Sequence, residues 1–349
     1  MFKLIESPIF ERVAAAADGA IAVPIPTHFS SMVPRRLPKG IFMLDFAFWV
    51  LQKLCEYCFP PLMKKLRRGE ISTWNDLACK QINKHLEHQA VTHGPYPHEP
   101  VLVVQPRQPP APEIRDAVER KRAALGVASP NDPHALVTNN VAWGDDPLQF
   151  TLLPMDYAQL CVLRETGSRE TLPRVLSANA LIVCAERRTI MLHRRSDTSA
   201  TYPGCLHTIG GGYWPPGLDG RDGDGRSLRH TVVREVHEET RVNIVVRDSI
   251  PVLALEEVQT GFIQMAFLGC TIDEEACRHV EANKEGHVVW VGFDELEKRL
   301  LNDDDWVPTA KASVLAWLAM AAPGAGDRPR FGKKRPGDLF RTVVASQSD

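Results

Sequence analysis

Ile209-Gly210-Gly211-Gly212 opens a stretch that passes through a Gly/Pro/Asp-rich loop into Ser227-Leu228-Arg229-His230-Thr231-Val232-Val233-Arg234-Glu235-Val236-His237-Glu238-Glu239-Thr240. The second part predicts a helix. At about 3.6 residues per turn, Glu235 meets Glu238 at i+3 and Glu239 at i+4, so three carboxylates share one helical face. Val232, Val233 and Val236 form an adjoining apolar stripe suited to packing on a sheet. Like charges at this spacing destabilise a helix and call for a counter-charge. A hard divalent cation, Mg2+ or Mn2+, supplies it, because such ions prefer carboxylate oxygens and reach phosphate directly.

Outward from this stretch, apolar segments of strand length alternate with polar turns. Residues 178–184 and 189–192 flank the turn Ala185-Glu186-Arg187-Arg188, the pattern of paired strands, and 250–255 with 261–268 repeat it. A short strand is predicted over 288–291 and helices over 294–301 and 308–320. Strands mixed with helices imply an α/β layer fold.

Residues 94–154 contain eleven prolines in 61 residues and read as connection, with one strand at 101–104 and a solvated helix over 114–125. Before them, 41–59 is the most apolar segment. Asp45, Lys53 and Glu56 interrupt it, so it predicts a buried amphipathic helix rather than a membrane span, ended by Pro60-Pro61. Lys64, Lys65, Arg67 and Arg68 leave membrane contact by the N-terminal region as an alternative. Thr73-x-x-Asp76 resembles a capping box ahead of a stripe of Leu77, Ile82 and Leu86. The expected organisation is an N-terminal, mainly helical and proline-rich region (1–150), an α/β domain (151–322) and a mobile basic tail (323–349).

Composition bounds the function. At 349 residues the chain is long enough for about two domains. Forty-one Lys+Arg against 43 Asp+Glu gives a net charge of −2, so no overall basic field exists to hold a nucleic-acid backbone. The eight cysteines are scattered, which predicts reduced thiols and a cytoplasmic location; Cys55-x-x-Cys58, the one close pair, is assigned to helix packing. Asp18, Glu6, Glu11 and Arg12 spoil the first apolar stretch as a secretory signal.

Arg234-Glu235-Val236-His237-Glu238-Glu239-Thr240-Arg241-Val242 resembles the second half of the box of the Nudix hydrolases, G-x5-E-x7-R-E-U-x-E-E-x-G-U with U aliphatic. Gly220 and the seven residues before Arg234 keep the box spacing, and the resemblance spans 177–318. It implies an α/β/α sandwich with a mixed sheet. It also implies hydrolysis of a nucleoside diphosphate linked to another moiety, by water attacking a phosphorus with Mg2+ or Mn2+ as cofactor. On this chain Glu235 and Glu239 are then the leading metal ligands, with Glu238 a further ligand or the catalytic residue that orients the water. Glu285 becomes the candidate general base, with Glu256 and Glu257 as competitors. Arg194 and Arg195 are placed for substrate phosphate, Gly211 and Gly212 for close backbone approach to it, and His207 either packs in its strand or points at the site. Trp214 is a candidate for stacking on a base. The expected partner is a small-molecule nucleotide, and a homodimer is left open.

Two residues depart from the box. Arg226 stands where the family has a glutamate that pairs with the box arginine, and Asp219, Asp222 and Asp224 are the candidates to partner Arg234 instead. Arg241 replaces the glycine after the helix, where a left-handed backbone costs a non-glycine residue about 1–2 kcal/mol. These changes carry the alternative of a catalytically weak, Nudix-derived nucleotide sensor or interaction module.

Overall fold

The computed structural model describes residues 75–126, 132–167, 172–199, 201–216, 223–247, 250–281, 285–302, 304–320 and 334–346, all within a compact unit spanning 68–349. The readings placed on residues 1–74, and those on Asp219, Gly220 and Asp222, lie outside them. Helix α1 covers residues 75–85. After it come β1 (Ala90–Tyr96), β2 (Val101–Val104), α2 (Pro112–Leu125), β3 (Pro133–Val137), β4 (Gln149–Asp156) and α3 (Tyr157–Thr166). Then follow β5 (Val175–Cys184), β6 (Thr189–Arg195), β7 (Leu206–His207), β8 (Ile209–Gly212), α4 (Leu228–Thr240), β9 (Val252–Glu257), β10 (Phe262–Thr271) and α5 (Glu274–Cys277). The chain continues with β11 (Gly286–Gly292), α6 (Leu296–Asn302), α7 (Pro308–Met320) and α8 (Pro336–Ala345).

All eleven strands join one mixed sheet. β5 is its hub: it runs parallel to β10 along one edge and antiparallel to β8, β6 and β3 along the other. Every residue of β5 is buried, as expected of a strand covered on both faces. Its side chains alternate between two cores. Leu181 and Val183, with Leu253, Leu255, Ala266 and Leu268, meet α1, α6, α7 and α8. Ala178, Ala180 and Ile182, with Ala254, Met265 and Phe267, meet Val232 and Val236 of α4 on the opposite face. The period-two alternation of the strands thus produces the α/β/α sandwich expected, and the predicted β5–β6 and β9–β10 pairs form as antiparallel partners.

The organisation before residue 150 differs from expectation. The strand expected at 101–104 forms as β2 and the helix over 114–125 as α2, but the rest of 94–154, read as connection, also supplies the end of β1, all of β3 and most of β4 to the sheet, and the boundary drawn at 150/151 falls inside β4. Prolines obscured these strands without preventing them: Pro133 opens β3, and Pro95 sits at the irregularity of β1 between His93 and Tyr96. The apolar pattern of Leu102, Ala135, Val137, Phe150 and Leu152 still buries itself. Within the predicted stripe of α1, Ile82 and Leu86 are buried but Leu77 is exposed. The described part of the tail is not free either. Leu339, Phe340 and Val343 seat α8 in the core beside α6 and α7, because they form one apolar face at i, i+1 and i+4. No helix among the described residues is long and apolar enough to cross a membrane.

Candidate active site

β8 lies against β5 in the register Ser177↔Gly212, Ala178↔Gly211, Asn179↔Gly210, so the glycines line the sheet edge beneath α4. Glu235 lies directly on Gly211: a Cβ there would come within 2.5 Å of the carboxylate, which only glycine avoids. The helix is fixed at both ends. Ser227 caps its start by accepting from the Arg229 amide (3.2 Å), and Glu99, from the β1–β2 connection, accepts from Ser227 Oγ (3.0 Å) and the Leu228 amide (3.1 Å). At the far end Arg241 adopts the left-handed conformation (φ 62°) that the box glycine would favour.

The displaced box glutamate has a replacement. Arg234 donates from Nε to Asp224 Oδ1 (2.8 Å) and from Nη2 to Asp224 Oδ2 (2.9 Å), a two-point pairing with a buried carboxylate. Asp224 also accepts from the Trp214 amide (2.8 Å) and Thr231 Oγ1 (2.9 Å), while Arg234 donates to the Gly212 carbonyl (3.0 Å). Arg226 is exposed and takes no part in this knot. Trp214, expected as a stacking platform for a base, instead carries the Arg234 guanidinium 4.0 Å above its ring.

A cavity of about 580 Å³ opens beside β8 and α4. Of the residues predicted for the site, Glu235, Glu239, Glu285, Arg195, His207, Gly211 and Gly212 line it. Two others do not. Arg194 turns away, donating to the Gly204 carbonyl (2.7 Å) and pairing with Asp305 (2.5 Å). Glu238 is 47% exposed and pairs with Arg234 (3.2 Å), about 100° around the helix from Glu239. Glu256 is paired with His93 (2.8 Å) and Arg174 (3.1 Å), whereas its neighbour Glu257, on the opposite face of β9, lines the cavity.

Burial sets the electrostatics. It pushes Glu235 up to about 7, against the pull of Arg234, and raises Glu239 well above the usual carboxylate range, helped by the charges of Glu235 and Glu285. Burial likewise lowers His193 to about 4 and His207 to about 3, so both imidazoles are neutral at pH 7. Glu239 Oε2 lies 3.6 Å from His193 Nδ1 and has no hydrogen-bond partner. Glu257 Oε1, Asn179 Oδ1, His193 Nε2, His134 Nδ1 and Arg164 Nε are also buried without partners, and all belong to residues lining this cavity. Such atoms cost free energy unless a polar ligand meets them.

The donor chemistry of Glu235 and Glu239 suits a hard cation, and the unsatisfied Glu239 oxygen faces the same space. Among the described residues no three Asp, Glu, His or Cys side chains are gathered in ligand geometry, and Glu235 Oε1 is held by Arg234 at 2.8 Å.

Sequence reading missed the wall contributed by earlier residues. Asp132 and His134 of the β3 segment and Tyr157 and Arg164 of α3 line the cavity, as do Asn179, Tyr202 and Gln264. Asp156 positions α3 by accepting from the Gln159 amide (2.8 Å). Its Asp-Tyr-Ala-Gln start was the available signal.

No family model and no curated protein matches the chain. Solved structures similar to it include a MutT protein from Methanosarcina mazei Go1 (22% identity, 50% of this chain and 95% of that one, TM-score 0.30). Others are a MutT NUDIX hydrolase from Burkholderia pseudomallei (16%, 40% and 93%, 0.29) and an Ap4A hydrolase from C. elegans (14%, 40% and 91%, 0.29).

Proposed function

We propose that this chain hydrolyses a nucleotide-linked pyrophosphate with a divalent cation. The observation that carries this reading is the pair of carboxylates, partly buried Glu235 and buried Glu239, lining a glycine-edged cavity that also contains Arg195. Mg2+ or Mn2+ held by Glu235 and Glu239 would offset the charge that develops on phosphate oxygens when the pyrophosphate is cleaved. Arg195, fixed by donation from Nε to the Thr201 carbonyl (2.9 Å), presents its remaining donors to a phosphate oxygen. Gly211 and Gly212 let the backbone approach the substrate where any side chain would intrude. Glu285, exposed at the rim, accepts the proton of the attacking water.

A phosphate-release assay over nucleotide sugars, dinucleoside polyphosphates, ADP-ribose and NADH, with and without Mg2+, tests the proposal. Cation-dependent turnover of at least one compound is expected. Binding without turnover across the panel would replace the enzyme with a nucleotide sensor, the reading that the Arg234–Glu235 contact favours.

Because burial holds Glu235 near 7, a proton competes with the cation below that pH and is absent above it. Mn2+ affinity is expected to rise about tenfold from pH 6 to pH 8 for this one group, with proton release on binding. Calorimetry in buffers of different ionisation enthalpy checks both; a pH-independent affinity without proton release would remove Glu235 as a ligand.

A further inference from the structure

Arg164, near the end of α3, lines the cavity. Its guanidinium lies 4.6 Å from the centre of the Phe262 ring, and Nη2 donates to the Thr260 carbonyl (3.3 Å). Nε is buried without a partner, and among the described residues no carboxylate lies within ion-pair distance of the guanidinium. Glu257 acts on it only through space, and burial raises the pKa of that carboxyl, which favours its neutral form. A half-buried charge without a counter-ion is costly, and a planar guanidinium with free donors is well matched to a phosphate or carboxylate.

The sheet register separates this arginine from the proposed cation ligands. Phe262 pairs with Val175 on one edge of β5, and Gly211, on which Glu235 lies, pairs with Ala178 on the other. That is three residues, roughly 10 Å, along the strand and two strand spacings, roughly 10 Å, across it. These two backbone positions, one beside Arg164 and one beneath Glu235, stand farther apart than a pyrophosphate is long. A second cavity of about 470 Å³ adjoins the first, and Arg164, Thr201 and Tyr202 line both.

We propose that Arg164 binds a second anionic group of the substrate, a phosphomonoester or carboxylate carried on a part of the molecule remote from the pyrophosphate. This rests on reading the same cavity as the pyrophosphate site. The preferred substrates are therefore nucleotide-linked pyrophosphates with an additional anion, in preference to their neutral counterparts.

Two matched pairs test it with the full chain in calorimetry: NADPH against NADH, which differ by one phosphomonoester, and UDP-glucuronate against UDP-glucose, which differ by one carboxylate. The charged member of one pair is expected to bind at least about tenfold more tightly, the scale of one charge-assisted hydrogen-bonding site, and the pair identifies which anion is recognised. Arg164→Gln should abolish that preference. If thermal melting shows this variant unfolded, Arg164→Lys decides, because losing the planar fork should still cut the preference several-fold. Equal affinity within both pairs, or a preference undiminished in the variants, overturns the inference. Hydrolysis with equal affinities would sink this inference alone; failure of all four compounds to bind overturns it too, and sinks the pyrophosphate reading with it when the wider nucleotide panel also shows no turnover.

Discussion

Glu239→Gln is expected to lower hydrolysis at least about a hundredfold, because it removes a carboxylate ligand of the cation that would offset the charge developing on phosphate oxygens. Glu239 is buried, lines the cavity and carries an oxygen without a hydrogen-bond partner, so its carboxylate has no structural duty that glutamine would break. The variant should therefore keep its melting temperature while losing Mn2+ affinity and turnover together. Glu238→Gln provides the contrast. Glu238 is 47% exposed and its contact with Arg234 is of the surface kind, which contributes at most about 1 kcal/mol, so its rate should stay within about fivefold. Steady-state kinetics of both proteins decide: equal losses in the two would return Glu238 to the site, and no loss in either would reject the carboxylate assignment.

Asp224→Asn should destabilise the fold by about 3 kcal/mol, the usual cost of leaving one member of a buried ion pair without its partner. Arg234 is 19% exposed and Asp224 2%, so little solvent screens them. The same carboxylate joins the Trp214 amide and Thr231 to the box arginine, and its loss should loosen the glycine loop beneath Glu235 as well. Denaturant unfolding measures the loss. The double variant Asp224→Asn/Arg234→Gln should recover part of it, since the uncompensated charge is then gone. Wild-type stability in the single variant would mean that Arg234 is held by its other acceptors.

The box helix was legible in the sequence because its chemistry is local: spacing alone puts Glu235 and Glu239 on one face and Val232 and Val236 on another. The strands from 178 onward were legible for the same reason, through alternation. Asp224 was one of three aspartates that could serve Arg234, and only the fold of the loop distinguishes it. Glu238 lies at the surface while Glu239 lines the cavity because adjacent positions differ by about 100° around the helix, a distinction the shared-face reading did not make. Arg194 and Arg195 were indistinguishable until strand pairing sent their side chains to opposite faces. His134 was out of reach because nothing local announces that a proline-dense stretch folds back beside β5, and the Asp-Tyr-Ala-Gln start of α3 announces a helix but not that Tyr157 and Arg164 face the cavity.

That fold-back bears on how the molecule can be divided. A chain cut immediately before residue 175 retains the whole recognisable box, yet it forfeits the Glu99 anchor of the helix, the β3 neighbour of the central strand and one flank of the binding chamber. The portion that looks like a complete module in one dimension is thus an incomplete one in three, because part of its chamber wall comes from residues upstream of the acidic helix.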